Sequence, residues 1–220
     1  MNWREPVFDY CERQGPGFWA EPANAVSNAA FLVAAVAAVA LLRRSKEKDL
    51  PALALAGVTA LVGLGSFAFH TLATQGAMLA DVIPIALFIY GYFCLGLHSF
   101  FGLSTPRAVA ATAAFGAASL WIESNVHGLN GSIAYLPAFA ALTGFAAALA
   151  WGEGREERRR VAAAGLAGAS AVFALSLAFR TMDRAICGAF PGGTHFLWHL
   201  LNAAVLYLAL RAAILWRRTD

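Results

Sequence analysis

Seven apolar runs alternate with short polar stretches along the chain. They predict helices over residues 23–42, 51–72, 78–98, 106–122, 132–151, 160–179 and 194–216. Each run is close to the roughly 20 residues that an α-helix needs to cross a hydrocarbon core. The pattern predicts an all-α, polytopic membrane protein with seven transmembrane helices. A soluble bundle would need a polar face on most of its helices, and these runs leave too little polar surface for that.

Composition sharpens the choice. Of 220 residues, 60% are hydrophobic and only 13% are charged, well outside the range of an ordinary soluble domain. Ala, Gly and Leu dominate the runs, as helices packed through small residues in lipid require. The net charge of +3 sits in short clusters between the runs. It forms no continuous basic face, so nucleic acid is not expected as a partner. Arg43, Arg44, Lys46 and Lys48 follow the first run, and Arg107 opens the fourth. Arg155 and Arg158 to Arg160 precede the sixth, and Arg217 and Arg218 follow the seventh. Seven crossings place all of these on one side and leave Arg4, Arg13, Arg180 and Arg184 on the other. The positive-inside rule then predicts the N-terminus outside and the C-terminus inside. The first twenty residues carry Arg4, Glu5, Asp9, Glu12 and Arg13 and lack the apolar core of a signal peptide, so the first helix is expected to be retained.

Few polar residues interrupt the runs, and four of them are predicted at one depth near the outer face. His70 closes the second helix, Asp81 begins the third, and His195 and His199 begin the seventh. Ionisable groups inside a membrane are costly unless paired, metallated or hydrated. His195 and His199 are four residues apart and share a helix face, as do Ser66 and His70. Three neutral imidazoles with a water in the fourth position form a catalytic zinc shell. Asp81 would then accept a proton from the water and hand it to a leaving group, or orient an imidazole. Ser66 would bond to a developing oxyanion. The competing reading gives these histidines to helix packing. His98, at the inner end of the third helix, and His127, in an outer loop, are expected to take no part in the site.

Asp9, Glu12 and Glu21 precede the first helix, with Tyr10 and Gln14 offering further oxygens. Hard oxygen donors without sulfur suit calcium; a solvated acidic tail is the alternative. Asn24 and Asn28 are expected to hydrogen-bond between helices. The one N-x-S pattern in an outer loop is Asn130–Ser132, and glycosylation is not expected there. Cys11 and Cys187 both fall on the outer side, where a disulfide is permitted, although three free thiols fit as well. Cys94 is expected to be a small buried apolar residue.

The motifs E-P-A-N-A-V-S-N at 21–28, G-S-F-A-F-H-T-L at 65–72, Asp81, and H-F-L-W-H at 195–199 span nearly the whole chain. Together they resemble the alkaline ceramidases, seven-helix membrane amidohydrolases in the larger superfamily that also holds the adiponectin-receptor-like proteins. The resemblance implies zinc ligands at His70, His195 and His199, a catalytic aspartate at Asp81 and an active-site serine at Ser66. It implies calcium at Asp9, the carbonyl of Tyr10, Glu12, Gln14 and Glu21, where an asparagine is usual at the position of Gln14. It also favours a Cys11–Cys187 disulfide. The sequence departs from the family after Asp81, where Val82 and Ile85 replace a second acid and a methionine.

The expected division is an extracytoplasmic N-terminal segment over 1–22, carrying the calcium site, and a seven-helix ceramidase-like domain over 23–220. The expected activity is zinc-dependent hydrolysis of ceramide or a related lipid amide to a sphingoid base and a fatty acid, near the extracytoplasmic or luminal leaflet. Phe67, Phe69, Phe196 and Trp198 would line an apolar route to the metal. Bilayer lipids and the lipid substrate are the expected partners, and no protein partner is predicted. The alternatives are a metal-binding seven-helix receptor without turnover and a transporter. A transporter would show more midplane charges and interrupted helices.

Overall fold

The computed structural model describes residues 2–44, 48–153 and 156–217. Lys46, Arg155 and Arg218, counted in the charge pattern, lie outside the described residues. The elements are α1 (Pro22–Ser27), α2 (Ala29–Leu42), α3 (Leu50–Leu72), α4 (Gln75–Phe101), α5 (Thr105–Asn125), α6 (Leu136–Trp151), α7 (Glu156–Met182) and α8 (His195–Arg217). Short 3₁₀ segments, Leu129–Tyr135 and Asp183–Ile186, precede α6 and follow α7.

Each predicted run is helical, with two differences. The first is split at Asn28, which separates α1 from α2. The second concerns membrane spans. Among the described residues six helices are long and apolar enough to cross a membrane, and α5 is not one of them. α5 has 21 residues, enough by length. Its many Ala residues, diluted by Thr, Gly, Ser and Glu, make it less apolar than the others. The six spans, with the all-helical architecture, fit a polytopic integral membrane protein.

Polar caps define several helix ends. Asp49 accepts the N–H of Ala52 at 3.1 Å and starts α3. Thr74 accepts the N–H of Ala77 at 3.2 Å and starts α4. Such caps satisfy donors that a helix start otherwise leaves unpaired. α8 is the most enclosed span and packs extensively on α7 and α2. Phe31, Leu166, Leu210 and Ile214 are almost fully buried around it.

The bundle has two chemically distinct ends. At one, Arg217 of α8 pairs with Asp49 at 3.0 Å and reaches Ser99 of α4 at 3.3 Å. Arg158 of α7 lies over the Trp216 ring there. At the other end the N-terminal segment is fastened to the loops. Val7 donates to the Ala73 carbonyl at 2.9 Å, and Gln75 donates to that of Glu5 at 3.0 Å. Val7 and Phe69 share a small buried cluster with Ala77. Cys11 and Cys187 form a disulfide, with Cα atoms 5.4 Å apart, that ties the segment to the loop before α8. Cys94 remains a free, half-buried thiol.

Candidate metal centre beneath the N-terminal segment

α3, α4 and α8 each bring part of the site to the fastened end. α3 carries Ser66 and His70 one turn apart, and α8 carries His195 and His199 in the same way. All four are buried. α4 carries Asp81. At this point α3 and α4 run nearly in contact, because Gly65 has no side chain. A Cβ at Gly65 would collide with the Ala80 carbonyl oxygen. Pro84, four residues after Ala80, has no N–H to offer that carbonyl. The close approach sets Asp81 beside Ser66.

The three histidines converge. One ring nitrogen from each lies within 4.8 Å of the others, and theirs is the one such group of His, Cys, Asp and Glu among the described residues. Nε2 of His70 and Nδ1 of His195 are buried with no protein partner, as is Oδ1 of Asp81. Buried polar atoms are rarely left unpaired, and unpartnered nitrogens on two of three converging imidazoles suit a bound cation. The donor set of three imidazoles therefore fits a metal ion such as zinc.

A second layer holds the rings. Nδ1 of His70 lies 2.6 Å from Oε2 of Glu21. Nδ1 of His199 lies 2.8 Å from Ser27 Oγ, while its Nε2 lies 3.5 Å from Ser66 Oγ. The two Nδ1 contacts, to Glu21 and Ser27, favour the tautomer that turns Nε2 of each ring toward a metal. His195 is placed through its backbone. Asp183, fully buried, accepts the N–H groups of Thr194 at 2.7 Å and His195 at 2.9 Å through Oδ1, and that of Cys11 at 3.1 Å through Oδ2. Gly193, at φ +62°, is pressed so closely against Asp183 that a Cβ would collide with the carboxylate. Tyr10 covers the centre, stacked on His195 with ring centroids 3.6 Å apart. Burial raises the Tyr10 phenol above its ordinary pKa, against the opposing charge of Arg180, so it remains a neutral roof.

The expected calcium residues are placed differently. Glu21 does not face the other acids. Oε1 pairs with Arg13 Nε, and Oε2 accepts from Asn24 at 2.9 Å as well as meeting His70. Burial pushes the Glu21 carboxyl up, but these partners outweigh it and hold its pKa below the ordinary value. Glu12 accepts the N–H groups of Ala23 at 2.7 Å and Asn24 at 2.8 Å at the start of α1. The Gln14 amide donates to the Cys11 carbonyl at 2.6 Å. Asp9 is exposed. With Glu12 and Glu21 occupied by N–H donors and not gathered with Asp9, the set as placed does not fit calcium.

Other expectations change in detail. Asn28 donates to the Asn24 carbonyl within its own segment at 2.9 Å, not across helices. Phe69 faces the N-terminal segment, Phe67 meets Trp19, and Trp198 packs on Tyr135 and Phe173 in the core. His98 bonds to the Leu103 carbonyl and His127 is exposed, both apart from the centre. Asn130 donates to the Arg180 carbonyl at 3.1 Å. Arg13, Ser27 and Asp183 were missed as members of the site. The general need of a metal-bound imidazole for an acceptor at its second nitrogen was the signal pointing to Glu21 and Ser27.

No curated protein sequence matches the chain. The family model named Ceramidase matches residues 5–219, nearly the whole length, and the chain therefore belongs to the ceramidase family.

Proposed function

We propose that the protein is a zinc-dependent lipid amidohydrolase that cleaves ceramide or a related lipid amide to a sphingoid base and a free fatty acid. One observation carries the reading. Three buried imidazoles converge, and Asp81, with a buried, unpartnered carboxylate oxygen, lies beside Ser66 and within electrostatic reach of His70.

His70, His195 and His199 would hold the ion. When bound, zinc supplies Lewis acidity that polarises a carbonyl and acidifies a water. Glu21, Ser27 and Asp183 keep the three rings in position. Asp81 takes a proton from the attacking water and passes it to the amine nitrogen as the C–N bond breaks. Ser66 Oγ donates to the carbonyl oxygen as negative charge develops there. Tyr10 and the fastened segment limit bulk water over the centre. An apolar cavity lined by Ile85, Phe88, Tyr92, Leu142, Phe145 and Leu206 lies within the bundle and suits an acyl chain.

The basic residues at the far end support an orientation with that end cytoplasmic. The metal centre then faces the extracytoplasmic or luminal leaflet. The test is a hydrolysis panel of ceramides and other lipid amides on purified protein, with and without metal removal, beside zinc quantification. Fatty acid release that tracks zinc content and disappears in Asp81→Ala and His199→Ala is the expected result. Zinc-loaded protein inert on every lipid amide would overturn the enzymatic reading in favour of a metal-binding receptor.

A further inference from the structure

Arg13 is fully enclosed although it lies outside the helices, with its side chain 0% exposed. Its guanidinium sits in a shell of oxygens. Nε pairs with Glu21 Oε1. Nη1 donates to the carbonyls of Gly15 at 3.1 Å and Gly17 at 3.3 Å. Nη2 donates to the carbonyl of His70 at 2.7 Å. One carboxylate and three backbone carbonyls surround a single positive charge. Oxygens of these two kinds are the usual shell of a hard divalent cation.

We propose that Arg13 is the resident cation of the N-terminal latch. Its guanidinium fills the role that the family resemblance gives to calcium, and the latch closes without added metal. Three features carry this. Glu21, the acid nearest the histidines, has both oxygens engaged by protein donors. Glu12 is held by the start of α1. A divalent ion at Glu21 would meet the Arg13 charge in a setting with little water to screen it. A buried arginine with four directed N–H contacts is also hard to displace, since its fork geometry is already matched.

The same contacts make Arg13 a positioning residue. It grips Glu21, which holds Nδ1 of His70, and it binds the His70 carbonyl directly. The ring and backbone of one expected metal ligand are thus fixed by a side chain 57 positions earlier in the sequence. This inference extends the metal-centre reading, but its calcium arm stands apart from zinc and from lipid hydrolysis.

The experiment uses full-length protein in detergent. Equilibrium dialysis with radioactive calcium should show no saturable binding, and added calcium should leave the thermal midpoint unchanged. Stoichiometric calcium binding to the wild-type protein would overturn the proposal. Zinc retention against a competing chelator is then compared in wild type, Arg13→Ala and Arg13→Lys. Arg13→Ala should weaken retention about tenfold or more, the scale for lost support of a ligand. Arg13→Lys, which returns the charge without the fork, should recover part of it. Wild-type retention in Arg13→Ala would refute the positioning role. If Arg13→Ala fails to fold, calcium dialysis of the wild-type protein decides the latch, and Arg13→Lys decides positioning by falling below wild type or failing to do so.

Discussion

Oδ1 of Asp183 accepts the backbone N–H of His195 at 2.9 Å, so the first turn of α8 and the second 3₁₀ segment share one buried carboxylate. The same oxygen takes the N–H of Thr194, and the second oxygen takes that of Cys11. One side chain thereby joins the start of the histidine helix, the loop before it and the N-terminal segment. Asp183→Ala leaves three buried donors unpaired and should destabilise the protein by about 2 kcal/mol or more. Asp183→Asn keeps one acceptor and should lose less. Thermal unfolding of both variants in detergent tests this, and equal losses would show that charge, not acceptor geometry, is what matters.

Ser27→Ala removes the partner of His199 Nδ1 while leaving every expected metal ligand in place. Zinc affinity should fall roughly 10- to 100-fold, with the helices retained. Competition with a graded chelator measures it, read beside circular dichroism. An unchanged affinity would reduce Ser27 to a bystander.

Gly65→Ala places a methyl group against the Ala80 carbonyl. α3 and α4 must separate, at a cost of about 1–3 kcal/mol for an overpacked contact. The Ser66–Asp81 spacing widens with them. Amide hydrolysis should fall while zinc content stays near that of wild type, because the histidines of α8 are not displaced. Parallel loss of zinc would show that the α3–α4 contact supports the whole centre.

Breaking the disulfide by Cys11→Ser with Cys187→Ser should lower stability by about 2–5 kcal/mol. It should also loosen Tyr10 from His195. Faster proteolysis of the N-terminal segment at a fixed temperature is the expected signature. Unaltered proteolysis would mean that the backbone pairing around residues 5–7 and the Arg13 contacts hold the segment unaided.

Much of the scaffold was legible because the physics is repetitive. Long Ala- and Leu-rich runs have few alternatives to a membrane helix, and the four-residue spacing of His195 and His199 puts both on one face. The convergence of His70 with them followed from counting crossings. The break at Asn28 was not legible, since nothing in the composition of residues 23–42 separates one straight helix from two. Glu21 was read with the other acids because spacing alone groups neighbours. Its true neighbours, Arg13 and His70, depend on how the tail folds back, and a polar segment carries no periodicity to reveal that. Asp183 was invisible for the same reason: its donors lie 11, 12 and 172 positions away.

The staple between Cys11 and Cys187 spans 176 positions. During synthesis the first cysteine must therefore wait while most of the bundle is threaded into the bilayer. His195 and His199 follow the second cysteine by only a few residues. The covering segment and the start of the histidine helix are thus joined only late in biogenesis, after most of the chain has been made.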